Sequence, residues 1–324
     1  MIYNLQTIRK QVLGLGLSEV GFKARGFAPG YDTQPRLELV AKTVVSGYNA
    51  AVEYGLNKDL ETTTASVRNE LVGFFNEGMG MGLYALDLFS LRDKNRFWRF
   101  VKGPGNKHEY MSYIGAGLAS GVFNLSFKKF LDKASPTSGC LILDGIGFYY
   151  AYFKTKKTVH DFWVPATISN DAFYLERYDN GIGRALWFYN AGDPKRIAQT
   201  IAAFPENRQP HIWSGVGLAA TYAGGVSKDK IRLLKRLSGE HAIMVAQGSL
   251  LAAHTRHKAG NPHEDDSTVR ILVGKPAEEA HLFAQEAIEA LQNRRYIDGK
   301  HSFQVFLENI RKWIHAEVYE HQDF

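Results

Sequence analysis

Apolar residues recur at intervals of three and four along much of the chain, and that spacing predicts helices. In residues 37–54, Leu37, Val40, Val44, Tyr48 and Ala51 share one face. The same spacing predicts helices over 71–89, 195–204, 231–237, 242–253, 276–291 and 303–318. Asp193-Pro194 offers a capping side chain followed by proline at the first helical position, and Pro276-Ala277-Glu278-Glu279 is an acidic helix start. Alternation of the strand type is scarce. Residues 162–168 are its best instance, and 139–152 also reads as a strand entering a turn. The expected fold is mostly α.

A second pattern overlies the first. Residues 77–84 (EGMGMGLY) match 180–187 (NGIGRALW), and 113–119 (YIGAGLA) match 213–219 (WSGVGLA). Asp93 and Arg96 match Asp193 and Arg196, and Asp144-Gly145 matches Gln247-Gly248. The blocks keep their order at a nearly fixed offset, which chance rarely gives and duplication does. The reading is two degenerate helical repeats, 66–167 and 168–268, related by a pseudo-twofold axis. A helical N-terminal arm (1–65) and a helical C-terminal arm (269–324) flank them. No Pro/Gly/Ser-rich linker separates the copies, and each alone would leave an apolar face exposed, so one intertwined globular domain is expected.

The glycines of Gly78-x-Gly80-x-Gly82, Gly115-x-Gly117 and Gly215-x-Gly217 sit inside helical patterns, where each costs about 1 kcal/mol against alanine. Close approach of two helix backbones is the first explanation and close approach of a ligand the second. The polar positions of the repeats differ in charge. Glu77, Asp87 and Asp144 in the first copy correspond to Asn180, Asn190 and Gln247 in the second, although Asp179 restores an acid beside Asn180. A site between the copies would carry ionised groups on one side and neutral hydrogen-bonders on the other. The plain alternative is that these are cap and turn positions, Asp144-Gly145 being ordinary turn chemistry.

Composition narrows the function classes. Apolar residues make up 45% of the 324-residue chain and aromatics 13%, enough for a large core and for a pocket walled by flat side chains. The formal charge of +6 is spread out, with no run long enough for a nucleic-acid arm, so no nucleic-acid partner is expected. No stretch reaches the roughly 20 apolar residues of a membrane helix, and the amino terminus lacks the marks of a signal peptide. The single cysteine, Cys140, makes no intrachain disulfide or cysteine metal cluster and reads as a buried structural thiol in a reducing, cytoplasmic setting. His108, His211, His254, His257 and His263 lack zinc-motif spacing and read as surface or cap residues. No nucleophile elbow, phosphate loop or kinase signature is present. Asp265-Asp266-Ser267-Thr268-Val269 lacks the terminal acid of the aspartate-rich cyclase motif, and Asn170-Asp171 lacks the matching serine and glutamate. The cofactor is undetermined: a divalent metal suits the carboxylates, but no recognised motif supports one.

Several stretches resemble the bacterial family called domain of unknown function 1702. They are Gly26-Phe27, Gly103-Pro104-Gly105 through His108 and Tyr110, 144–148 (DGIGF), 181–188 (GIGRALWF), 213–219 with 222–225 (YAGG), and Ala246-Gln247-Gly248 with Ala252-Ala253. The resemblance implies association with enediyne polyketide synthases and other specialised-metabolite clusters, hence a role on a long unsaturated chain. It supplies no catalytic residue. On the residues themselves, the favoured reading is an enzyme that cyclises, isomerises or rearranges a polyene or isoprenoid in an aromatic-lined pocket. Glu77, Asp87 and Asp144 are its candidate catalytic acids. Tyr84, Trp187, Trp213 and Tyr222 are candidate walls, with Asp179, Arg184 and Gln247 as polar anchors. The alternative is a non-catalytic carrier that shields a reactive polyene. The expected partners are a small hydrophobic substrate, neighbouring biosynthetic enzymes and further copies of the chain.

Overall fold

The computed structural model describes residues 9, 11–90 and 93–319. Seven long helices carry the fold: α1 (Gln34–Tyr54), α2 (Val72–Phe89), α3 (Glu109–Phe123), α4 (Leu141–Phe153), α5 (Ala172–Tyr189), α6 (Gln209–Tyr222) and α7 (Ala242–Ala259). Each packs on the next, and α8 (Ala277–Glu289) and α9 (Ser302–Ile314) cover α7. Among the described residues the only strands are Tyr296–Ile297 and Lys300–His301, paired antiparallel between α8 and α9.

Neighbouring long helices run in the same direction. Gly117 of α3 meets Gly145 of α4, and one turn later in both helices Gly121 meets Tyr149. Asp144 of α4 meets Asn180 of α5, and two turns on Tyr152 meets Phe188. Gly80 at the middle of α2 meets Ser112 in the first half of α3, and Phe89 meets Phe123 at their ends. Each link must therefore return to the starting end, and short helices such as Arg96–Lys102, Pro194–Ala202 and Lys228–Leu237 lie in these returns. The row also curls until its ends meet. Phe74 of α2 packs edge-on to Tyr222 of α6, Arg36 of α1 donates to the Ala223 carbonyl, and Arg256 of α7 donates to the Glu70 carbonyl just before α2.

Glycine makes this arrangement possible. A Cβ on Gly115 would stand 2.0 Å from the Glu77 carbonyl oxygen, and one on Gly215 would stand 1.9 Å from that of Asn180. Such overlaps are far inside contact distance, so only glycine lets these backbones touch. The contacts recur at the offsets of the sequence blocks: Gly117 on Ile142 and Gly217 on Val245, Gly145 on Ile114 and Gly248 on Ser214. The recurrence includes α1. Gly47 lies on the Phe75 carbonyl as Gly147 lies on that of Tyr178.

Two local expectations are corrected. Residues 139–152 are not a strand; they hold helix α4, and Asp144-Gly145 belongs to its first helical turns rather than to a loop. Its sequence, LILDGIGFYYAYF, is apolar nearly all round because it is packed on several sides, and such a run has no helical stripe to read. Residues 162–168 form no strand either. Phe162 takes a left-handed backbone conformation (φ 53°), and after Pro165 the short helix Ala166–Ser169 begins.

Candidate functional site

A cavity of about 250 Å³ opens among the long helices, lined almost wholly by apolar side chains. The final turns of α3, α4, α5 and α6 supply Val122, Tyr152, Phe188 and Tyr222 to its wall. Val40 and Val44 of α1 and Phe74 and Met81 of α2 close the other side. The N-terminal segment crosses those helix ends as a strap. Tyr152 Oη donates to the Val20 carbonyl (2.7 Å), the Ala28 amide to Tyr189 (3.0 Å), and Thr33 Oγ1 to Ala191 (2.6 Å). Exposed Glu19 and Val122 mark the mouth, and buried Glu77 and Arg184 mark the inner end.

Glu77 projects from α2 and Arg184 from α5. Arg184 Nη2 donates to Glu77 Oε1 at 3.4 Å, while Glu77 Oε2 takes no hydrogen bond from the described residues, and Glu77 lines the cavity. Burial raises the Glu77 pKa, and the Arg184 guanidinium draws it back. Arg184 stands 5.3 Å from the centroid of the Phe148 ring, and its Nη1 is buried without a partner among the described residues. Phe148, Tyr152 and Phe188 form one aromatic cluster in the wall, with centroids 5.3–5.8 Å apart.

Of the residues singled out in the sequence, Glu77, Arg184 and Tyr222 come together on this cavity. Tyr222 Oη is buried without a hydrogen bond among the described residues, and Arg256 lies 4.1 Å from the ring centroid. Asp144 is also buried, and Arg184 is one of the charges that act on it. Asn180 Nδ2 donates to its Oδ2 (3.1 Å), and its Oδ1 has no partner. Burial pushes its pKa up to about 6 against the pull of Arg177 and Arg184. Asp144 thus meets the amide of Asn180, whereas Gln247, its counterpart in the sequence blocks, bonds to Ser214 and Arg311.

The other candidates line no part of this cavity. Asp87 accepts from the Arg96 and Phe97 amides (3.1 and 3.0 Å) and so caps the helix Arg96–Lys102. Asp179 is clamped by Arg208, whose Nε lies 3.0 Å from Oδ2 and whose Nη2 reaches Oδ1. Tyr84 packs edge-on against Phe97 and Phe130. Trp187 Nε1 donates to the Gly224 carbonyl (3.0 Å), and Trp213 is buried in α6. Gln247 donates to Ser214 Oγ (2.9 Å) and accepts from Arg311 (2.6 Å). Asp265 and Asp266 accept from the Ser267 and Ala277 amides and pair with Lys228 and Arg270. Among the described residues no three His, Cys, Asp or Glu side chains come together to hold a metal ion.

A family model for a protein of unknown function (DUF1702) matches residues 4–314. The chain belongs to the DUF1702 family. No curated protein and no solved structure matches it. No described helix of this DUF1702 protein is long and apolar enough to cross a membrane.

The sequence reading missed the aromatic wall. Phe148 and Phe188 each lie four residues beyond a singled-out polar residue, Asp144 and Arg184, and that helical spacing places them on the same faces. It also placed His254 on the surface or at a cap. His254 is fully buried, its Nδ1 3.1 Å from that of His281, and burial lowers its pKa to about 3. Cys140 is buried, and burial raises its thiol pKa.

Proposed function

We propose that this DUF1702 protein is a cytoplasmic participant in specialised-metabolite biosynthesis. It takes a long unsaturated hydrophobic chain into the cavity and isomerises or cyclises it by proton transfer at Glu77. In this reading the two repeats are related by an approximate twofold axis, and the ligand occupies their shared interior. The observation that carries the reading is a buried carboxyl group lining an otherwise apolar, aromatic-walled cavity.

The chemistry balances without a co-reactant. Burial favours the protonated form of Glu77, which gives its proton to one carbon of a double bond. The positive charge left on the other carbon faces the rings of Phe148, Tyr152 and Phe188. Attack by a second double bond closes a ring, or the charge stays within the conjugated chain. A C–H proton then returns to the Glu77 carboxylate, so the product has the formula of the substrate. Arg184 stabilises the carboxylate formed in between.

The test is incubation with conjugated polyenes in D2O, read by mass spectrometry. Wild type should place solvent deuterium on carbon, and Glu77→Gln should slow this by about 100-fold or more. The variant should still bind cis-parinaric acid, a fluorescent polyene that reports apolar sites. Polyene binding with no deuterium transfer by wild type makes the protein a carrier instead.

A further inference from the structure

We propose that the cavity mouth docks on an anionic lipid surface, from which an apolar ligand passes under the strap into the cavity. This goes beyond proton transfer at Glu77, because contact with lipid needs no turnover. Monomeric proteins seldom gather large exposed apolar side chains in one place without a partner. Here Leu17, Leu88, Phe89 and Val122 are 45%, 38%, 57% and 40% exposed. Leu17, Phe89 and Val122 are tied to the mouth. Val122 lines the cavity, Leu17 follows the lining residue Gly16, and Phe89 packs edge-on to Phe123, next to Val122, at 5.2 Å.

Charge at the same end favours a membrane. Lys154 ends α4 directly after the cavity residue Phe153, and Arg25 lies 5.2 Å from the Phe153 ring centroid. Lys23 is exposed on the strap beside Arg25, and Lys154 is exposed as well. Glu19, the acid at the mouth, is turned onto the Gly16 amide (3.1 Å). The chain as a whole carries +6. Apolar and aromatic side chains that dip into the headgroup region, flanked by lysines that meet anionic lipids, are the marks of a surface-bound protein. An acidic carrier protein would answer the lysines but would leave the apolar rim unmatched.

Vesicle flotation tests this with phosphatidylcholine alone and with phosphatidylcholine mixed with an equal part of phosphatidylglycerol. The protein should float with the mixed vesicles, less so as salt rises. Replacing Phe89 and Val122 by aspartate together should weaken binding by about 10-fold or more, and so should replacing Lys23 and Lys154 by glutamate. All four side chains are at the surface, so both variants should keep the wild-type unfolding temperature. A wild type that binds neither vesicle overturns the proposal. So do paired variants that float as well as wild type, or a protein that ignores vesicles yet binds an acidic carrier protein through these residues.

Discussion

Two buried carboxylate–arginine pairs stand within this fold, and they are built differently. Asp179 is gripped by Arg208 through both of its oxygens, and Arg208 spends a further donor on the Phe162 carbonyl (2.9 Å). Neither residue lines the cavity. Glu77 and Arg184 share one long hydrogen bond of 3.4 Å beside open volume. The first pair is a cross-brace between α5 and the segment before α6. In the second, among the described residues, the guanidinium Nη1 is buried without a partner and the carboxylate takes its one hydrogen bond at Oε1. A buried ion pair alone does not mark function; what matters is whether its hydrogen-bonding capacity is exhausted and whether space lies next to it.

Breaking the brace should give the largest effect. Arg208→Met leaves a buried carboxylate unpaired and should cost about 3–5 kcal/mol in urea unfolding. Next comes the shared scaffold. Gly215→Ala puts a methyl group 1.9 Å from the Asn180 carbonyl and 2.9 Å from the Arg184 amide, so α5 must shift. It should cost about 3 kcal/mol in the same assay and also slow deuterium transfer, because Arg184 moves with α5.

Asp144 gives a pH signature of similar or smaller size. Its folded pKa of about 6 lies above its unfolded value, so the folded state holds the proton more tightly. Its contribution to stability is greatest below pH 4 and is lost as pH rises from about 4 to 6, by up to about 3 kcal/mol. Unfolding wild type and Asp144→Asn across that range should show the difference between them changing in that direction, and no change would mean that the carboxyl is not desolvated. The smallest stability effect belongs to the functional pair. Glu77→Gln should cost only about 1 kcal/mol, because Arg184 borders a cavity that water can enter. A loss as large as that of Arg208→Met would erase the distinction between the two pairs.

α1 was legible by its stripe from Leu37 to Ala51, and α2 and α7 by their apolar spacing although both are largely buried. α4 was not legible as a helix. In α4 the apolar residues show no period, and the acid Asp144 looked like half of a turn. The glycine blocks were legible as backbone contacts because no other common role suits glycine in a helix. The site was half legible. Glu77 and Arg184 stood out by type and by their place in the repeated blocks, and Tyr222 as an aromatic in a stretch resembling the family. Sequence could not separate Asp87 and Asp179 from them, because a cap and a brace use the same carboxylate as a reactive site. The partners that decide the matter, the Arg96 amide and the Arg208 side chain, lie 9 and 29 positions away.

The common direction of the long helices also bears on how the molecule forms. An antiparallel bundle can zip up through hairpins, each helix meeting the one just made. Here no helix can touch its neighbour until an intervening return of roughly 15–25 residues has also been ordered, so the entropy of loop closure comes before any reward. This mostly helical chain should therefore reach its native state at the pace of a parallel sheet rather than of a helical bundle.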